Sequence, residues 1–214
     1  MASARYLDGL MAQMAQSADD KRDGHAYFLS QGSLDGACGP YCLFMALLIC
    51  GVLERDAILD LHAGAKDRRT SLGRLLGMIE RYAGLFRDGT HVDEIEQMLR
   101  KSYGGKLNID AHDGAGAAVR DFVVREVQAN KPVLVGVAFP GGAHWMLAVG
   151  VDCLDDNCED PARLLLLDPG GVKPTVAPWN SMIELTPSRG THPYYWWTNE
   201  VNVRFLYAVS LAPK

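Results

Sequence analysis

Hydrophobic positions change their spacing near Lys131. Before it they recur at helical intervals; after it they gather in short β-branched runs. Tyr6, Leu7, Leu10, Met11 and Met14 form one stripe, predicting an amphipathic first helix. The polar run 16–24 reads as a loop, and residues 25–30 lead into a turn at Gln31-Gly32-Ser33. From residue 38 to 50 apolar side chains occupy every face, which predicts a fully buried helix stopped at Gly51. Short helices are expected over 56–61 and 71–82. Thr90 suits an N-cap for a helix over 92–103, closed by Gly104-Gly105. Another helix covers 115–129 and ends at Asn130-Lys131-Pro132. Strands are then expected over 133–139, 144–151, 163–167 and 201–211, with a turn at Pro140-Gly141-Gly142. The layout is α+β, a helical N-terminal half followed by a β-rich C-terminal half.

Composition narrows the class. With 214 residues, 48% hydrophobic and 22% charged, the chain reads as one globular domain spanning 1–214. Nothing flexible sits near residue 131, so the change there reads as a seam between lobes of about 1–130 and 131–214 rather than a linker. The net charge of -5 carries no basic block, which argues against nucleic acid as a partner. The most apolar stretch, 41–53, falls short of the ~20 residues a membrane span needs and reads as a core helix. No charged start followed by an apolar core marks the N-terminus, so no signal peptide is expected. Five cysteines is an odd, irregular set and argues against a secreted disulfide framework. A cytoplasmic protein with reduced thiols is therefore the expectation. Cys153 and Cys158 flank an acidic hairpin tip that lacks the further ligands a metal clip needs, and a disulfide there would form under oxidation.

The candidate chemistry is nucleophilic. Asp35-Gly36-Ala37-Cys38-Gly39-Pro40 delivers Cys38 to the start of the apolar helix. A thiol there meets the positive end of the helix dipole, which favours the reactive thiolate. Taken alone, a free cysteine is as apt simply to pack, but the small residues around Cys38 and the polar Ser33 and Asp35 mark a loop rather than core. Cys42, one turn further in, and Cys50 read as structural. His144 opens a buried-looking strand after a Gly-Gly turn and precedes Trp145, which places an imidazole at a strand edge as general base. His25, His62, His91, His112 and His192 read as ordinary surface or core residues. Asp168, in Leu167-Asp168-Pro169-Gly170, would orient the imidazole; by itself that tetrapeptide is a turn signal. Gln31 could donate to an oxyanion together with the Cys38 N–H. Residues 194–197, Tyr-Tyr-Trp-Trp, would make an aromatic wall for substrate, though such clusters are more often core.

The order Gln31, Cys38-Gly39-Pro40, Gly89-Thr90-His91, Lys131 to Val135, His144-Trp145 through Gly150, and Asp168-Pro169 resembles papain-like cysteine peptidases. The closer likeness is to the bacterial double-glycine leader peptidases and their stand-alone relatives, over roughly residues 25–185. The resemblance implies nucleophile Cys38, base His144, orienting Asp168 and oxyanion donor Gln31, with no cofactor and no metal. It also implies a papain-like fold: a helical N-terminal lobe packed against a C-terminal antiparallel sheet, with the site in the groove between them. The expected function is hydrolysis of a peptide or isopeptide bond in a protein or peptide substrate. A bacterial effector, toxin or defence protease would suit it, acting in the cytoplasm or delivered by a non-classical secretion route. A protein partner or activator stays open. The alternatives are an acyltransferase or transpeptidase on the same scaffold, and an inactive protease-fold binding module.

Overall fold

The computed structural model describes residues 3–19, 27–32, 36–59, 67–81, 89–155 and 157–214. In chain order these form β1 (Ser3–Tyr6), α1 (Asp8–Asp19), α2 (Cys38–Ile49), α3 (Arg55–Leu59), α4 (Ser71–Arg81), α5 (Val92–Tyr103), β2 (Leu107–Asp113) and α6 (Ala117–Gln128). There follow β3 (Val133–Phe139), β4 (Gly142–Cys153), β5 (Arg163–Leu167), β6 (Ser181–Glu184), β7 (Tyr194–Trp196) and β8 (Val201–Pro213). Expected helices appear with shifted ends, α5 where its spacing puts it. Strands β1, β2, β6 and β7 were not legible as strands.

The sheet closes on itself. Going round, β4 pairs with β3, β3 with β8, β8 with β7, β7 with β6, β6 with β5, and β5 returns to β4, all antiparallel. This six-stranded barrel overturns the papain-like expectation of a helical lobe laid against an open sheet with a groove between. The helical half is no separate lobe either. Its strand β1 pairs with the end of β4, and β2 pairs with the end of β8.

Length and bulges explain the closure. Strands β4 and β8 have 12 and 13 residues, enough for each to serve two partners along one edge. Residues Leu147 and Ala148 pair with both β3 and β5, while Gly150 to Asp152 pair with both β5 and β1, so β1 continues the edge that β3 leaves. The ladder shifts register between Ala148 and Gly150 and between Gly136 and Val137. Such bulges bend a strand and sharpen its twist, as barrel closure requires. Both carry a glycine at a close approach. A Cβ on Gly136 would fall inside the Tyr207 ring, and one on Gly150 would lie 2.6 Å from the Arg5 carbonyl oxygen.

Helix α2 packs on β4 and β3. All its residues but Tyr41 are buried, as the all-apolar run predicted. Each large side chain buried in this way contributes about 2 kcal/mol. Among the described residues no helix is long and apolar enough to cross a membrane. Cys153 and Cys158 are joined in a disulfide, so these two are not the free thiols that the cysteine count suggested.

Candidate active site

Cys38 is the first residue of α2, preceded by Ala37 with no side-chain cap. An uncapped N-terminus leaves backbone N–H groups free to serve another acceptor. Here the sulfur itself accepts from the N–H of Gly39 and also from that of Trp145, across the interface with β4. Gly39 has a packing reason to be glycine: a Cβ would come within 2.8 Å of the Thr90 side chain. Thr90 is buried, and its carbonyl accepts the Trp145 indole N–H at 2.7 Å. The helix N-cap expected at Thr90 falls instead on His91, whose N–H donates to Glu94 at 2.8 Å. Thr90 thereby clips the start of α5 to the start of α2 and to β4.

His144 stands near the start of β4, paired across to Val137. Its Nε2 lies 2.7 Å from Asp168 Oδ1, which leaves Nδ1 for the hydrogen bond with Cys38. The imidazole lies nearly parallel to the Trp196 indole, at 5.6 Å between centroids and 16° between planes. That ring covers one face and keeps water from the ion pair. Trp196 is itself anchored, its N–H donating to Ser181 Oγ at 2.7 Å. Residues 194–197 therefore divide: Tyr194 and Trp196 are core, whereas Trp197 is 46% exposed.

Asp168 follows β5 directly and is buried. Its Oδ1 accepts from Gly170 N–H at 2.8 Å as well as facing His144. Asn180 grips the same residue by its backbone, accepting from Asp168 N–H at 2.7 Å and donating to Asp168 O at 2.8 Å. Its amide also reaches Val172 O at 3.0 Å. Gln31 is drawn to the same turn by its backbone N–H, which donates to Pro169 O at 2.8 Å, and its side-chain oxygen is buried. The structure thus brings Cys38, His144 and Asp168 into one array, with Gln31 beside the Asp168 turn. Ser33 and Asp35, taken as loop markers, lie outside the described residues, as do His25 and His62.

The environment pushes charge onto two of these groups. Burial raises the Cys38 thiol, but the hydrogen bond and positive charge of His144 and the two N–H donors outweigh it, so the thiol sits below its ordinary value. Burial lowers His144, yet the Asp168 and Cys38 contacts prevail and hold the imidazole up at about 9. The imidazole is therefore charged at neutral pH, and the Cys38 thiol is shifted toward the thiolate. The other free cysteines behave oppositely. Burial raises Cys42 far above an ordinary thiol, with the charges of Cys38 and Asp168 adding to it, and burial pushes Cys50 up to about 12. Both remain protonated and inert.

Two contributors escaped the sequence reading, Asn180 and the Trp196 stack. Asn180 precedes a short strand and carries no local signal. Trp196 sat in a recognised aromatic cluster, but which ring would meet His144 depends on the β6–β7–β8 pairing. Of the remaining histidines, His112 stacks on Phe122 at 5.3 Å and His192 meets Thr191 at 3.1 Å, the ordinary roles expected of them. The chain matches no family model and no curated protein.

Proposed function

We propose that this protein is a cysteine hydrolase that cleaves a peptide or isopeptide bond in a protein or peptide substrate. The observation that carries the reading is the Cys38–His144–Asp168 array, with the imidazole bridging the Cys38 thiol, held below its ordinary value, and a buried carboxylate. The Cys38 thiolate attacks the scissile carbonyl carbon. Negative charge moves to the carbonyl oxygen, for which the Cys38 N–H and the Gln31 amide are the proposed donors. The tetrahedral intermediate collapses, the C–N bond breaks, and the His144 imidazolium gives its proton to the departing amine. Neutral His144 then takes a proton from water, whose oxygen attacks the thioester. Collapse frees the carboxylic acid and regenerates the thiolate–imidazolium pair. Asp168 keeps the imidazole oriented and stabilises its charged form throughout.

The ordered motifs support a proposed kinship in catalytic machinery with the double-glycine leader peptidases and their stand-alone relatives. The cytoplasm is the proposed compartment, where reducing conditions would keep Cys38 a thiol and would also open the Cys153–Cys158 disulfide. The Cys153–Cys158 bond lies nine residues along β4 from His144, roughly 30 Å of extended strand.

The rate of Cys38 alkylation by iodoacetamide across pH tests the reading. Labelling should stay fast well below the free-thiol value of ~8.5 and spare Cys42 and Cys50. In His144→Ala the profile should revert to that of an ordinary thiol. An ordinary profile in the native protein would refute the activated pair.

A further inference from the structure

A second site lies between α4 and α5, toward the end of α5 opposite Thr90. The turn before α4 supplies Arg68, α4 supplies Arg74 and Arg81, and the last turn of α5 supplies Lys101. These four cationic residues line a cavity of about 270 Å³ together with Met78 and Gly77, their aliphatic stems giving it a largely apolar wall. From these features we infer that the cavity binds a small phosphate-bearing molecule. The inference goes beyond the proposed hydrolase and does not depend on it.

Three observations carry it. The first is charge. The chain as a whole carries -5, yet four cationic residues line this one cavity. Among the described residues the one carboxylate paired with them is Glu80, 3.5 Å from Arg68 and, like it, largely exposed. Such a pair is weak and leaves the cluster's field nearly intact. Arg81 and Lys101 also sit where helix C-termini favour cations. Arg74 also reaches the last turn of α5, at the Ser102 carbonyl, so Arg68 alone is left without that reason.

The second is preorganisation. The Arg74 guanidinium donates to the carbonyl oxygens of Arg69 and Ser102, the latter at 3.1 Å, and to Ser71 Oγ at 3.4 Å. Neutral acceptors hold the fork in place without cancelling its charge. A fixed, uncompensated guanidinium loses little freedom when an oxyanion docks.

The third is Gly77. It lies within α4, where glycine is among the least favourable residues. Nothing in the fold requires it: a Cβ there would meet only Arg68 Nε, at 3.8 Å. Neighbouring Gly73 differs, since its Cβ would collide with the Asp67 carbonyl. The space over Gly77 opens into the cavity, so the missing side chain serves the cavity rather than the packing. Several cations around a small space match a phosphate dianion, with its three acceptor oxygens, better than a single carboxylate. The half-buried thioether of Met78 offers apolar contact to the rest of the ligand.

Titration calorimetry on the full chain at constant ionic strength, with pyrophosphate and inorganic phosphate as probes, tests the site. One saturable site is expected. Gly77→Leu, which fills the cavity, and Arg74→Gln/Arg81→Gln should each weaken pyrophosphate binding about tenfold or more. Gly77→Ala should raise thermal stability while still weakening binding, so a folding failure in the larger variant leaves the test intact. Cys38 alkylation should be unchanged in all of these, which separates this inference from the hydrolase reading. Heats that follow ionic strength without saturating would overturn it. So would saturable binding untouched by all the variants. Sedimentation with phosphatidic acid vesicles, or binding of a polyglutamate peptide, while both free phosphates are silent would assign the surface to a membrane or an acidic protein instead.

Discussion

Asn180 holds the orienting carboxylate from behind, through both the N–H and the carbonyl of Asp168. It touches neither His144 nor Cys38 in any hydrogen bond described above, so its part in the site is positional. Asn180→Ala removes those two hydrogen bonds and the one to Val172, and leaves buried backbone groups unpaired. It should cost about 2 kcal/mol of stability. It should also move the alkylation profile of Cys38 toward that of an ordinary thiol, a shift that simple loss of stability would not produce. Denaturant titration and the labelling profile check the two effects separately. At this scale much was legible beforehand. Cys38, His144 and Asp168 each carry a local mark: a helix start, a strand after a tight turn, a strand end before Pro-Gly. Asn180 carries none, because its role exists only once the chain from Val172 onward folds back over the Asp168 turn.

Among the elements, the well-read ones are those whose pattern is self-sufficient. The apolar run of α2 and the spacing of α5 specify helices without reference to a partner. Strands β3 and β5 are apolar runs with clear ends, apart from Gly136 within β3 and Arg163 at the start of β5. Strands β6 and β7 have four and three residues, too short for alternation to register. Strand β2 reads Leu-Asn-Ile-Asp, a clean alternation at its start, but it lies between two helices and earned no assignment. The bulge between β3 and β8 gives the element-scale prediction. Gly136→Ala would drive a methyl into the Tyr207 ring, which is backed by Trp145 at 4.6 Å and cannot simply step aside. A destabilisation of about 2 kcal/mol is expected from such overpacking. Adding Tyr207→Leu to Gly136→Ala should recover part of it, and a double-mutant cycle of urea unfolding measures the coupling.

For the molecule as a whole, helix α6 shows how the parts are tied. Glu126 on α6 is buried, meets Lys131 Nζ at 2.7 Å and Arg125 Nε at 3.0 Å, and accepts from Ser210 Oγ on β8 at 3.1 Å. Burial alone would raise its carboxyl, but these donors and charges overcome it and hold the group below its usual value. A carboxyl lowered on folding adds stability that is present above its unfolded value, near 4.3, and is lost as pH falls through the folded value. Glu126→Gln should therefore destabilise the protein at neutral pH by about 2 kcal/mol, and much less near pH 3. Urea titrations at the two pH values check the sign. Closure of the barrel also belongs to this scale, since it rests on pairs as distant as Val133 with Ser210 and Leu147 with Leu167.

By itself the sequence determined which segments are helix or long strand, and which cysteine, histidine and aspartate carry the marks of nucleophile, base and orienting acid. Those are local properties: periodicity, capping and turn chemistry act over a few residues and leave their trace in adjacent letters. Only the tertiary structure decided that the sheet closes, that β1 and β2 leave the helical half to join it, that Asn180 holds Asp168 and Trp196 covers His144, and that four cationic residues meet around one cavity at Gly77. Each depends on register between segments far apart in the chain. Register comes from the summed packing of many side chains, the bulges at Gly136 and Gly150 among them, and no single stretch of sequence contains it.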